Sequence, residues 1–290
     1  MKYRIVTDST ADLTPELIRQ MDVTVLPLTY HIEGQDYSDD VLAPQMTSAQ
    51  FYDKVRGGSM PTTSQITPEV FKARIGPMLA AGDDVLYLAF SSGLSGTYNA
   101  SRVAFDDLRE EYPGRTLITV DTLAASMGEG LLVYLACQQR DAGKPIEEVA
   151  QWVEDNRLKL AHWFTVDDLN HLKRGGRVSG AAAFFGTVLN IKPVLHVDDE
   201  GHLIPREKVR GRRQSLDALV EHAGKTAVHP ERQTMFISHG DSKADAQYVA
   251  DRLKKDYKVP QVFLGDIGPV IGSHSGPGTI ALFFLATTRN

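Results

Sequence analysis

Val85-Leu86-Tyr87-Leu88-Ala89-Phe90-Ser91-Ser92-Gly93-Leu94-Ser95-Gly96-Thr97 is the stretch on which the fold turns. Its apolar run does not alternate, as expected for a strand covered on both faces by crossover helices. The run stops at a loop of small, hydroxyl-bearing residues, and helical spacing then continues to about Glu111. Strand, loop and helix in that order form the unit of a doubly wound parallel sheet, whose ligands sit beyond the carboxyl ends of the strands. Upstream, Tyr3–Thr7 reads as a short strand ending in Asp8-Ser9-Thr10. Pro15–Met21 then reads as a helix, with Thr14 as N-cap and Pro15 at its first position. Val23–Leu28 is a second strand, and His31–Tyr37 around Gly34 is a small hairpin. Thr47–Arg56 and Thr67–Ala81 have helical spacing, and Gly57–Gln65 between them reads as a loop. Downstream, Thr116–Val120 is a strand ending in Asp121-Thr122, followed by helices near Ala125–Ala142 and Ile146–Lys159.

Past residue 160 the rhythm changes. Strand-like pieces near His162–Val166, Pro193–Val197 and Leu203–Val209 crowd together. A helix from about Gln214, a strand near Thr234–His239, a helix over Lys243–Lys255 and a strand over Gln261–Leu264 follow. The fold class is α/β: a parallel-sheet α/β/α domain over residues 1–160, carrying the hydroxyl-rich loops, and a mixed-sheet α/β domain over residues 161–290. Neither an internal repeat nor a low-complexity segment is present.

Composition narrows the function classes. In 290 residues, 42% are hydrophobic and 23% charged, an ordinary globular balance. The net charge of −6 offers no global basic field for nucleic acid. Apolar stretches such as Ala281–Ala286 are far too short to span a bilayer, and the early polar residues of Met1–Asp8 predict no signal peptide. The single cysteine, Cys137, excludes an internal disulfide and fits a cytoplasmic location. The histidines lack metal-ligand spacing, so no metal is expected.

Several segments could carry chemistry. Ser91–Gly96 offers hydroxyls and free backbone N–H groups at a helix start, which favour an anion. It is neither a Walker loop, having no lysine, nor a G-x-S-x-G elbow. Thr7-Asp8-Ser9, Thr62-Thr63-Ser64-Gln65 and Asp121-Thr122 repeat the same chemistry at other segment ends, so neutral hydroxyls could converge on one small oxyanion. Each segment also reads as an ordinary cap or Asx-turn. Gly268–Thr279 reads as a rigid irregular turn that would aim His274 at a ligand, or as a structural turn with an exposed histidine. Arg174 and Arg177 flank two glycines, and Arg210, Arg212 and Arg213 form a second basic cluster. Either group could dock an anionic partner or simply be a solvated face. Ala181–Gly186 and Ala281–Ala286 could line an apolar tunnel or belong to plain core.

In chain order, the sequence carries Thr7-Asp8-Ser9, Pro61-Thr62-Thr63-Ser64-Gln65, Ser91–Thr97, Val120-Asp121 and Asp168-Leu169. Arg174-Gly175-Gly176-Arg177, Lys192-Pro193, Gly268–His274 and Gly276-Pro277-Gly278 complete the set. As an ordered set, these motifs resemble the DegV family of bacterial fatty-acid-binding proteins over essentially the whole chain. The resemblance implies two α/β domains holding a fatty acid such as palmitate or oleate in a buried apolar tunnel, with no cofactor. It implies that Thr63, Ser95 and His274 meet the carboxylate, in loops that also contain Ser9, Ser64, Ser92, Gly96 and Thr97. It further implies a partner, a separate fatty acid kinase that phosphorylates the bound carboxylate, so the chain would be a monomeric carrier and not the catalyst. Arg174, Arg177, Arg210, Arg212 and Arg213 are then candidates for docking that kinase. Thr122 stands where the family often has Ser, and Ala281 where it often has Gly, which would reshape the tunnel wall.

Three other readings use the same residues. In an acyl hydrolase, Ser95 would be the nucleophile, His274 the base and Asp8 or Asp121 the orienter. A small-molecule kinase would hold phosphates on the hydroxyl-rich loops. A lipid sensor would bind without chemistry.

Overall fold

The computed structural model describes residues 3–178 and 190–289. The Ala181–Gly186 stretch therefore lies outside the described residues. The first sheet is all parallel, in the order β2-β1-β6-β7, from β1 (Tyr3–Asp8), β2 (Thr24–Leu26), β6 (Asp84–Ala89) and β7 (Leu117–Asp121). Its continuous apolar strands follow from burial on both faces. Val85, Tyr87 and Ala89 of β6 pack with Phe71, Ile75 and Leu79 of α3 (Pro68–Ala80) and Phe105 of α4 (Thr97–Glu111). Leu86 and Leu88 point the other way, into a core with α1 (Pro15–Met21), α5 (Met127–Asp141) and α6 (Ile146–Asn156).

The second sheet is mixed, in the order β10-β9-β8-β13-β11-β12. Its strands are β8 (Leu160–Thr165), β9 (Ile191–Val197), β10 (Leu203–Arg210), β11 (Thr234–His239), β12 (Gln261–Asp266) and β13 (Ile280–Leu285). Only β11 and β12 pair in parallel. Alternation sorts β13: Ala281 and Phe283 face the core shared with α5, while Leu282 and Phe284 face α8 (Arg212–Thr226) and α9 (Lys243–Tyr257). Helix α5 is thus the common layer between the two sheets. Among the described residues, no helix is long and apolar enough to cross a membrane.

The third sheet, β4-β3-β5, is antiparallel and small. The expected hairpin forms as β3 (Thr29–Ile32) and β4 (Gln35–Ser38), and Tyr30 stacks on Tyr37. The expected loop over Gly57–Gln65 is corrected at its end. Thr62–Ser64 forms strand β5, because the free edge of β3 satisfies its backbone and threonine suits a strand. It follows α2 (Ser48–Arg56), which opens on a capping box at Thr47 and Gln50.

Two short helices were not expected from the sequence. Asn170–Gly175 forms α7, closed by Gly176 in the left-handed region. Pro269–Ser275, expected to be an irregular turn, forms α10, with Pro269 at its first position.

A buried carboxylate pair ties β1 to α5. Thr10 Oγ1 lies 2.5 Å from Asp8 Oδ1 and 3.0 Å from Glu129 Oε2, so one hydroxyl proton stands between two carboxyl groups. Thr7 Oγ1 lies 2.9 Å from Leu88 O and 2.7 Å from Glu129 Oε1, again with one proton for two acceptors. A protonated Glu129 resolves the shortage by donating to a threonine. Burial, helped by the charge of Asp8, indeed pushes the Glu129 carboxyl well above its usual range. A carboxyl raised in the fold adds stability below its unfolded pKa and loses it as pH rises through the folded value. Urea unfolding across about pH 5 to 9 should therefore show falling stability in the native chain and a shallower fall in Glu129→Gln, whose amide cannot ionise. Equal slopes would mean that Glu129 is ionised in the fold.

Candidate functional site

A cavity of about 440 Å³ opens where the carboxyl end of the parallel sheet meets the inner face of the mixed sheet and α10. Its walls are mainly apolar: Phe90 and Leu94 follow β6, Phe164, Ala281 and Phe283 come from the mixed sheet, and Val270 and Ile271 come from α10. Thr63, Ser95 and His274, more than thirty residues apart in sequence, line this same cavity. Thr63 arrives on β5, Ser95 on the loop before α4, and His274 on the last turn of α10.

Local bonds set the donors. Thr63 Oγ1 lies 2.8 Å from His274 Nε2. Ser95 Oγ lies 2.9 Å from Thr97 Oγ1 and accepts from Thr97 N–H at 3.2 Å. With the imidazole donating to Thr63 and both Thr97 groups donating to Ser95, two hydroxyl protons are left for an acceptor in the cavity. His274 Nδ1 is buried, unpartnered and pressed on Gly175, where a Cβ would sit 2.3 Å away, so only glycine fits there. Burial first, then the Arg177 and Arg174 charges, push the His274 imidazole down to about 4. Thr63, Ser95 and His274 are therefore neutral donors, with the Arg177 charge close enough to act on the imidazole.

Two acidic residues hold α10 in place. Asp12 Oδ1 accepts from Gly268 N–H at 2.8 Å, and Asp39 accepts from Val270 N–H and the Ser9 hydroxyl. Burial raises Asp12 well above the carboxylate range and Asp39 to about 7. Asp12 also accepts from Ser126 Oγ, which lies on the cavity wall at a positive φ of 54°.

The remaining sequence candidates divide. Ser64 and Gly96 line the cavity; Ser64 Oγ lies 2.7 Å from His31 Nε2, and the Gln65 side chain packs over Gly96. Ser9, Ser92 and Thr97 do not line it. Ser9 is buried, its hydroxyl accepting from Leu28 N–H at 3.1 Å, and Ser92 is exposed, its N–H donating to Asp121 Oδ1 at 3.2 Å. Thr97 is buried and acts only through Ser95. Ala281 and Phe283 line the cavity, but Leu282 and Phe284 are plain core on the far face.

The basic residues also split. Arg177 lines the cavity, and Arg174 is exposed with Nη2 3.1 Å from His171 Nδ1. Arg210 is exposed at the end of β10. Arg212 is instead held by Asp245 at 2.8 Å and Asp167 at 3.5 Å, and Arg213 lies 3.3 Å over the Tyr248 ring. These internal partners leave Arg212 and Arg213 poorly placed as free docking charges.

No Ser-His-Asp relay forms. His274 bonds Thr63, with its other nitrogen against glycine. The Asp8 oxygens take Thr10, the Tyr87 hydroxyl at 2.6 Å and Phe90 N–H at 3.2 Å, and Asp121 takes Ser92 and Leu123 N–H groups. Among the described residues, no group of three or more histidine, cysteine or acidic side chains could hold a metal ion.

Sequence reasoning missed Thr67, Ser126 and His162 on the wall, and it singled out the segments of Gln65, Ser275 and Thr279 without naming those residues as contacts. Single polar residues inside apolar or glycine-rich runs carry no periodic signal. Arg177 was visible as a charge but not as wall.

The architecture defines a class, an α/β protein of two large sheets and a small third one, with a mainly apolar cavity lined by hydroxyls and the imidazole of His274. The chain belongs to the DegV family: the family model described as "Uncharacterised protein, DegV family" matches residues 2–287. A DegV domain-containing protein of Clostridium perfringens is 45% identical over 288 residues, covering 99% of each chain. Two solved structures share the whole architecture. A fatty-acid-binding DegV family protein from Thermus thermophilus is 33% identical, covering 99% of this chain and 100% of that one, with a TM-score of 0.87. A DegV lipid-binding protein from Thermotoga maritima is 32% identical, covering 100% of both chains, with a TM-score of 0.85.

A depressed imidazole pKa adds stability above the unfolded value and loses it as pH falls toward the folded one. By NMR, the His274 ring should therefore titrate at about 4. In Arg177→Gln the midpoint should rise yet stay below 6.5, because burial is the larger cause. An unmoved midpoint would show that the Arg177 charge does not reach the ring.

Proposed function

We propose that this chain binds a long-chain fatty acid in the cavity and presents its carboxylate to a separate ATP-dependent kinase. The observation that carries the proposal is that Thr63, Ser95 and His274 line one mainly apolar cavity, with Thr63 bonded to His274. The fatty-acid-binding and lipid-binding relatives support the choice of ligand.

The tail supplies affinity. Each buried methylene contributes roughly 0.8 kcal/mol, so about 14 of them contribute on the order of 11 kcal/mol. Association and ordering costs offset part of this and leave room for submicromolar binding. Each neutral hydroxyl bond to the carboxylate adds about 1–3 kcal/mol, so the head sets orientation more than strength. In the coupled step, a carboxylate oxygen attacks the γ-phosphorus of ATP held by the kinase. A new O–P bond forms, the bond to the β–γ bridging oxygen breaks, and ADP leaves with its electron pair. The products are an acyl phosphate on this chain and ADP on the kinase. This chain is then carrier and presenter, and Arg174, exposed beside Thr63 and His274 in an adjoining hollow, is available to an incoming partner.

Native mass spectrometry of purified protein should show an excess mass that leaves on unfolding and is identified as a fatty acid. Ser95→Ala and His274→Ala should each weaken palmitate binding by about 3- to 10-fold, the worth of one such hydrogen bond. Both should slow turnover with the kinase. A clean apo mass with no uptake of palmitate or oleate would remove the proposal.

A further inference from the structure

The apolar cavity has a definite end. Along β13 its lining residues are Ala281 and Phe283, and along β8 they are Phe164 and His162. Antiparallel pairing sets Ala281 opposite Phe164 and Phe283 opposite His162. The next pair on that face, Leu285 and Leu160, packs into the core and does not border the cavity. Helix α10 precedes β13, so the His162–Phe283 pair closes the end remote from His274. Phe283 lies four residues beyond Thr279, about 13 Å of extended chain.

The two rings meet edge to face, with centroids 5.3 Å apart and planes at 89°. Behind them stands Gly128, in the first turn of α5. A Cβ there would lie 2.4 Å from His162 Nε2 and 2.7 Å from Phe283 Cδ1. Both rings therefore already press on the helix backbone and have no room to retreat from a ligand. His162 is 1% exposed; its Nδ1 lies 3.3 Å from Leu160 O, and its Nε2 has no hydrogen-bond partner among the described residues. Burial first, then the Arg289 charge, push the imidazole well below its usual range, so the ring is neutral. With one nitrogen turned to glycine, what the ring offers a ligand is its bulk.

We propose that His162, backed by Gly128, fixes the length of acyl tail that this chain accepts. The inference rests on the fatty-acid reading of the cavity and names the residue that selects among fatty acids. A tail whose last methyl reaches the ring fills the cavity. Each methylene short of that forfeits burial worth about fourfold in affinity. A tail one methylene too long must displace a ring that has nowhere to go.

The test is a binding series on the delipidated full chain with laurate, myristate, palmitate, stearate and arachidate. Wild-type affinity should rise with tail length to an optimum and then fall. His162→Ala should move the optimum to a longer acid, raising the ratio of arachidate to laurate affinity at least about tenfold. Gly128→Ala should push the rings into the cavity and move the optimum to a shorter acid. His162→Leu, a side chain of similar size, should keep the wild-type optimum. Leu282→Val, on the outer face of β13, should keep it as well. An optimum unmoved in His162→Ala would overturn the proposal, whether or not Gly128→Ala folds. So would a wild-type affinity that climbs through arachidate, because the cavity would then have no end at His162. An optimum moved equally by leucine and alanine would also overturn it, since the ring nitrogen and not its bulk would then select the tail. A wild-type chain that binds none of the five acids would remove the fatty-acid reading itself.

Discussion

Two sheets share one helix, and that constraint organises the molecule. Helix α5 is covered by the parallel sheet on one side and by the mixed sheet on the other, with Met127, Leu131, Leu132, Val133 and Ala136 all buried. A helix in that position holds the sheets apart by its own diameter, about 10–12 Å with side chains. Just before α5 begins, at Ala125 and Ser126, there is no helix to fill the gap, and there the cavity opens. The buried bonds from Thr7 and Thr10 to Glu129 fix the register of β1 against α5, and so the place of the opening.

The polar end is assembled differently. Thr63 sits on a three-residue edge strand and His274 on a seven-residue helix, elements too short to be stable alone. Tertiary anchors position them: β3 pairs with β5, while Asp12 and Asp39 accept from the backbone at the start of α10. The tail chamber needs only shape, which long strands supply. The head needs atoms placed to within a hydrogen-bond length, and buried carboxylates near the site supply that.

This division explains what the sequence disclosed. Strand β6 announced itself, since Val85–Phe90 is an apolar run bounded by loop residues, whereas Ala281–Ala286 read only as tunnel lining or core and its strand, β13, was not expected. Thr63, Ser95 and His274 were legible as hydroxyl and imidazole groups on short linking segments, although nothing local said that they meet. α10 was hidden because Gly272 lowers helix propensity inside it and the flanking Gly268, Gly276 and Gly278 read as turn residues, while packing against α7, α2, β3 and β5 supports the helix. Asp12 and Asp39 were illegible because a buried acid and an exposed one look alike in sequence. Ser9 and Ser92 misled for the opposite reason: their hydroxyls match the site chemistry, but a backbone amide takes one and solvent the other.

The alternation along β13 has an evolutionary consequence. Ala281 and Phe283 border the cavity, while Leu282 and Phe284 belong to the outer core against α8 and α9. Successive codons thus answer to different selective pressures, one set to chamber dimensions and the other to folding. A lineage can exchange Ala281 for a smaller or larger residue and resize the chamber without disturbing the packing of the outer layer. The pleat of one strand thereby uncouples divergence in what the chamber admits from conservation of the scaffold that surrounds it.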